Sequence, residues 1–146
     1  MRPKYWLVPA IFLTACAPMQ MNSRAAAENA EKWGILGTWK PDCQAAASDR
    51  NLNYSYIVRE DQLYLDRSTA SRRDLHPIIS ATVTGDGALD LVIDFEEAGK
   101  YENTIVKGSD GRIRVMQNKN MTTDEYTVKD GMVVNGGPTL WAAHCR

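Results

Sequence analysis

Leu89-Asp90-Leu91-Val92-Ile93-Asp94-Phe95 is the stretch that decides the fold class. Leu89, Leu91, Ile93 and Phe95 alternate with Asp90, Val92 and Asp94. A period of two puts the first set on one face of a strand and both carboxylates on the other, which must be wet. Shorter β-rich runs occur at 54–58, 62–65, 78–84, 101–106, 112–117, 125–129, 132–135 and 139–144. Turn signals lie between them: Glu60-Asp61, Gly85-Asp86-Gly87, Gly99-Lys100, Gly108-Ser109-Asp110-Gly111, Asp130-Gly131 and Asn135-Gly136-Gly137. Turns every ~8–12 residues predict an all-β antiparallel meander that closes as a small barrel or a sandwich. No helical crossover is apparent, so a doubly wound parallel sheet is not expected. Segments 41–53 and 66–74 are polar and predict surface loops. Arg72-Arg73 in the second is expected to be solvated rather than to form an anion site.

The 146 residues suffice for one domain, expected over 33–146. Before it lies a different composition. Arg2 and Lys4 are followed by a mostly apolar run from Tyr5 to Ala15, too short for the roughly 20 residues that span a bilayer. Its length suits the apolar core of an export signal. The run ends in Leu13-Thr14-Ala15-Cys16, which resembles the lipobox of bacterial lipoproteins. The resemblance implies a signal peptide at 1–15, cleavage before Cys16, and acylation of that cysteine by diacylglyceryl and palmitate-type chains. Several chains anchor firmly where one holds marginally, each buried methylene contributing about 0.8 kcal/mol. Ala17 follows the cysteine where an Asp would favour inner-membrane retention. The expected location is therefore the outer membrane, facing the periplasm.

Removing 1–15 leaves 15 basic against 18 acidic residues, a net charge of −3. That balance argues against a nucleic-acid partner and against polybasic attachment to a membrane. Residues 16–32 are rich in Ala, Asn and Glu. Asn22 or Ser23 is a candidate cap for a helix through 24–32 that Gly34 ends. Its apolar positions are only alanines, so the segment is expected to be a partly helical spacer with little to bury.

Three cysteines are an odd number for an exported chain. If Cys16 carries lipid, Cys43 and Cys145 remain, and an oxidising envelope favours their disulfide. The alternative is a reactive thiol or a metal ligand. Metal binding would want more Cys or His at short spacing, and only His76 and His144 exist.

Gly37-Thr38-Trp39, after Ile35-Leu36, resembles the Gly-x-Trp signature of lipocalins and related small barrels. Thr123-Asp124-Glu125-Tyr126 is similar to a loosened form of that family's Thr-Asp-Tyr motif. Its third motif, an Arg, has no clear counterpart, since Arg146 is the last residue. The resemblance implies a lipocalin-like barrel over Trp33 to Cys145, with Gly37 and Trp39 as structural residues and Trp39 packed across the closed end. It names no ligand. The strand and disulfide pattern also resembles periplasmic inhibitor barrels that block lysozymes or proteases. For that reading the candidate loop is Asn135-Gly136-Gly137-Pro138, better explained as a plain turn.

Catalysis has little support. There is no Gly-x-Ser-x-Gly elbow, Gly-rich phosphate loop or His-Glu-x-x-His. His76 and His144 are expected to be satisfied structural or surface residues. Asp90 and Asp94 would sit about 13 Å apart on one strand, too far to share a proton. Glu96-Glu97 reads as a solubilising strand end. Trp33, Trp39 and Trp141 are expected to fill the core rather than line a cavity. The expectation is a non-enzymatic envelope lipoprotein without cofactor, catalytic or metal residues. It would bind a small apolar ligand or act structurally at the membrane. The alternative is an inhibitor or adaptor for another envelope protein.

Overall fold

The computed structural model describes residues 17–146. The signal segment and Cys16 lie outside the described residues. Helix α1, Ala17–Trp33, precedes ten strands. These are β1 (Gly37–Lys40), β2 (Asn53–Arg59), β3 (Gln62–Ser68), β4 (Arg73–Val83), β5 (Leu89–Asp94), β6 (Lys100–Lys107), β7 (Ile113–Asn120), β8 (Tyr126–Lys129), β9 (Met132–Val133) and β10 (Ala143–Cys145). All ten form one antiparallel sheet, β1 to β9 in chain order with β10 added outside β1. The all-β meander expected from the alternation is therefore present.

Closure into a barrel is not. The chain's end comes nearest to it: β10 pairs with β1, and Ala142, just before it, makes a single antiparallel bridge to Ile113 in β7. One bridge is a clasp and not a ladder. The sheet bends instead through three register irregularities, between Ile78 and Ser80, Thr104 and Ile105, and Asn118 and Lys119. An extra residue in one strand bends it and tightens the local twist. The first irregularity also explains the burial of both Ile78 and Ala81, three residues apart, which a regular strand would place on opposite faces.

The deciding stretch behaves as its period requires. Leu89, Leu91 and Ile93 are fully buried, and Asp90, Val92 and Asp94 are half-buried. Leu63, Leu65, Tyr56, Ile105 and Trp39 join them in one core. Segment 41–52 is a loop, as expected, and segment 66–74 differs from the structure. Most of 66–74 is strand, β3 and β4 being joined by a turn at 69–72. Arg73 is solvent-exposed, as expected, and its guanidinium also binds the carboxylate of Asp66, a residue only 4% exposed. Hydrophobicity patterning missed this because the two charges satisfy each other across adjacent strands. Glu96–Ala98 forms a 3-10 turn, so the strand does not continue through Glu96-Glu97.

The helix begins earlier than expected, which places Asn22 and Ser23 inside it. Its end is at Gly34, as expected. With Gly34 at φ +86°, its N–H donates to Glu31 O at 3.0 Å and the Ile35 N–H donates to Ala30 O at 3.1 Å. That pair of bonds is the Schellman closure, and Ala30 and Ile35 are both buried beside it. The helix is no idle spacer. Ala26, Ala27 and Ala30 are buried against β4 and β3, and Asn29 Nδ2 donates to Ala81 O at 2.9 Å. Alanine leaves the helix face flat enough for close approach. Among the described residues no helix is long and apolar enough to cross a membrane.

Candidate functional site

The curled sheet holds a half-open cavity of about 470 Å³. Its lining includes β1, β2, β3, β6, β7 and β8 side chains and the closing segment 138–142, but nothing from α1. Trp39, Leu65, Phe95, Ile105, Ile113 and Val115 give it an apolar interior. A volume in the range of ~300–1,000 Å³ with apolar walls and a few placed polar groups is the usual form of a small-ligand site.

The polar groups come from three places. On β2, Tyr54 and Tyr56 lie two residues apart and so share a face. Burial pushes both hydroxyls up from the ordinary tyrosine value, opposed only by the charge of Arg67, so both remain O–H donors. On β3, Arg67 stands opposite Tyr54. Its Nε and Nη2 each donate to Asp74 at 3.0 Å, and its guanidinium carbon lies 4.8 Å from the Phe95 ring centroid. Hydrogen bonding from Arg67 is the main cause holding the Asp74 carboxyl below its usual value. On β6, Asn103 is 7% exposed. Thr127 Oγ1 donates to Asn118 Oδ1, and Asn118 Nδ2 donates to Asn103 Oδ1 at 2.7 Å.

The cavity rim has its own supports. Loop 41–52 is held by Asn51, whose Nδ2 donates to Asp42 O, Ala45 O and Ala46 O while its Oδ1 accepts from Asp42 N–H. This buried asparagine presents Asp49, Arg50 and Leu52 to the opening. Across from it, Arg114 donates to Thr139 Oγ1 at 2.9 Å and Gly131 O at 2.6 Å, which ties the closing segment to the β8–β9 turn. Neither Asn51 nor Arg114 stood out in the sequence. Both act through bonds to distant or irregular backbone, which carry no periodic signal.

The residues singled out from sequence are spread unevenly about this site. Cys43 and Cys145 are placed as a disulfide pair, Cα atoms 5.4 Å apart, joining loop 41–52 to β10. Gly37 and Trp39 lie at the same end. Gly37 has φ +114°, and a Cβ there would lie 2.3 Å from His144 Nε2. His144 is packed on Trp39, ring centroids 4.7 Å apart. Trp39 is buried in the core and also lines the cavity, so core and cavity are not alternatives for it. Its Nε1 donates to Ile35 O at 2.7 Å. Trp33 packs at the core edge, donating to Gly87 O and lying under Lys107 Nζ. Trp141 is half-buried beneath Arg114.

The remaining candidates serve turns and ladders. Asp90 accepts from Thr104 Oγ1 at 2.6 Å and Asp94 from the Glu96 N–H at 2.9 Å. Asp124 pairs with Lys119 at 2.7 Å, and Tyr126 starts β8. His76 corrects the expectation of a satisfied histidine: Nε2 lies 3.4 Å from Asp74 Oδ1 and 3.2 Å from Arg67 Nη2, but among the described residues the buried Nδ1 has no partner. The turn 135–138 closes on itself through Val133 N–H to Gly137 O and Gly136 N–H to Val133 O, with Pro138 against the cavity. Among the described residues no three His, Cys, Asp or Glu side chains cluster as a metal site. No family model, curated protein or solved structure matches this chain.

Proposed function

We propose that this chain is a non-enzymatic lipoprotein of the bacterial cell envelope, anchored through Cys16 in the outer membrane facing the periplasm, whose folded domain binds a small apolar ligand. The single observation that carries ligand binding is the 470 Å³ cavity with its apolar interior. The lipobox Leu13-Thr14-Ala15-Cys16 supports the anchor. The two fit together, since a molecule sparingly soluble in water is met at a membrane surface. Mass spectrometry of the protein isolated from native envelopes tests both. The expected finding is an acylated N-terminal Cys16 and a co-purifying apolar molecule. An unacylated Cys16, or a protein free of any bound small molecule, sinks the corresponding half.

A second reading, an adaptor or inhibitor bound to another envelope protein, has one observation in its favour. Met132, Val133, Val134 and Leu140 are exposed together around the β9 turn and the closing segment. Apolar groups clustered at a surface often mark a protein contact. Val133 and Leu140 also line the cavity, so the same cluster serves as the lip of a ligand site. A stoichiometric protein partner recovered with an empty cavity would favour the adaptor.

A further inference from the structure

The cavity contains polar groups that the protein itself leaves unanswered. Tyr56 is 5% exposed and lines the cavity, yet among the described residues its hydroxyl has no hydrogen-bond partner. Tyr54, half-buried on the same wall, likewise has no hydroxyl partner among the described residues. Asn103 has its carbonyl oxygen occupied by Asn118, which the Thr127 hydroxyl orients in turn, so its free group is the Nδ2 donor. Arg67 uses Nε and Nη2 on Asp74, and its Nη1 has no partner among the described residues. These groups face the cavity space, where the few polar groups of a small-ligand site meet the polar atoms of the ligand. Asn103 Nδ2 and Arg67 Nη1 can only donate, and each tyrosine hydroxyl can donate as well as accept, so an acceptor satisfies all four.

Charge narrows the acceptor further. The lining carries Arg50, Arg67 and Arg114 against the single acid Asp49. Asp74 answers Arg67, and Arg114 makes no ion pair with a carboxylate among the described residues. The site therefore favours a negative charge over a neutral oxygen. The volume lies in the lower half of the range of small-ligand sites, which suits one chain rather than two.

We propose that the cavity takes a single-chain amphiphile with a carboxylate head. The head accepts from Tyr54, Tyr56 and Arg67 Nη1, and the chain lies along Leu65, Ile105, Ile113 and Val115. This rests on the ligand-binding reading and assigns the class of ligand. Phe95, one of the apolar walls, lies under the Arg67 guanidinium, 4.8 Å from its carbon to the ring centroid.

The test is calorimetric titration of the delipidated full chain with dodecanoate, dodecan-1-ol and dodecyl phosphate at neutral pH. Dodecanoate is expected to bind about ten- to a hundredfold more tightly than the alcohol, the ratio a charge-assisted hydrogen bond supplies. Tyr56→Phe removes a hydroxyl that no protein group uses. It should leave the melting temperature in place and weaken dodecanoate about tenfold, more than it weakens dodecan-1-ol, because the hydrogen bond to a charged acceptor is the stronger one. Equal affinity for acid and alcohol, or an unchanged dodecanoate affinity in Tyr56→Phe, would overturn the carboxylate assignment while leaving a ligand cavity. Tighter binding of dodecyl phosphate than of dodecanoate would also overturn it, in favour of a phosphate head. Binding of none of the three would instead overturn the ligand-binding reading on which it stands.

Discussion

Asp74 shows how much one side chain does between core and cavity. It holds Arg67 by two bonds of 3.0 Å, and through Arg67 it fixes the charge beside Tyr54 and Phe95. The hydrogen bonds from Arg67 hold its carboxyl below the usual aspartate pKa. Such a carboxylate adds stability that is fully present above its unfolded pKa, near 3.9, and is lost as pH falls through the lower folded value. Asp74→Asn should therefore reduce stability by about 1–3 kcal/mol at neutral pH, because a half-buried guanidinium loses its charged acceptor. The gap to the unsubstituted protein should narrow as pH drops below about 4. Thermal melts between neutral pH and strong acid measure this, and a gap constant across that range would refute the role given to the pair. At the same scale, Gly37 explains its own presence: positive φ and the His144 ring together leave no room for a Cβ.

Helix α1 is the element whose role depends most on its smallest residues. Alternation made the strands legible, since burying every second side chain is what a half-wet sheet requires. Alanine gives no comparable signal, because a helix face of alanines reads the same whether it is docked or free. Only the contact with β3 and β4 distinguishes the two. Ala30 has no exposed surface in that contact. Ala30→Leu should destabilise the protein by about 1–3 kcal/mol through overpacking, although leucine is nearly as good a helix former. Chemical denaturation would show a lower midpoint. An unchanged or raised midpoint would mean that the helix is free of the sheet, as the spacer expectation had it.

The molecule as a whole is an open sheet held curled by a few cross-ties. The bridge between Ile113 and Ala142, the Arg114 bonds and the Cys43–Cys145 pair all involve the last nine residues or the loop facing them. The cysteines are 102 residues apart, and closing a loop of that length contributes up to about 4.7 kcal/mol on the chain-entropy model. The double variant Cys43→Ser, Cys145→Ser should lose roughly 2–5 kcal/mol. It should also free β10 from β1, read as faster amide exchange at Thr38 and Cys145→Ser than at β5. Equal protection in both regions would show that the pair does not hold the sheet's end.

By itself the sequence determined the strand class, the approximate strand positions, the helix stop at Gly34 and the cysteine pairing left once Cys16 is set aside. Each follows from a rule acting over neighbouring residues or from simple counting. The open rather than closed sheet, the docked helix, the Asp66–Arg73 and Arg67–Asp74 pairs and the cavity were decided only by the tertiary structure. They depend on where bulges fall and on which distant side chains meet. Tyr54, Tyr56 and Asn103 read as ordinary half-exposed strand residues in the sequence. They became a candidate binding site only when the sheet curled and left their donors facing a space that no protein group fills.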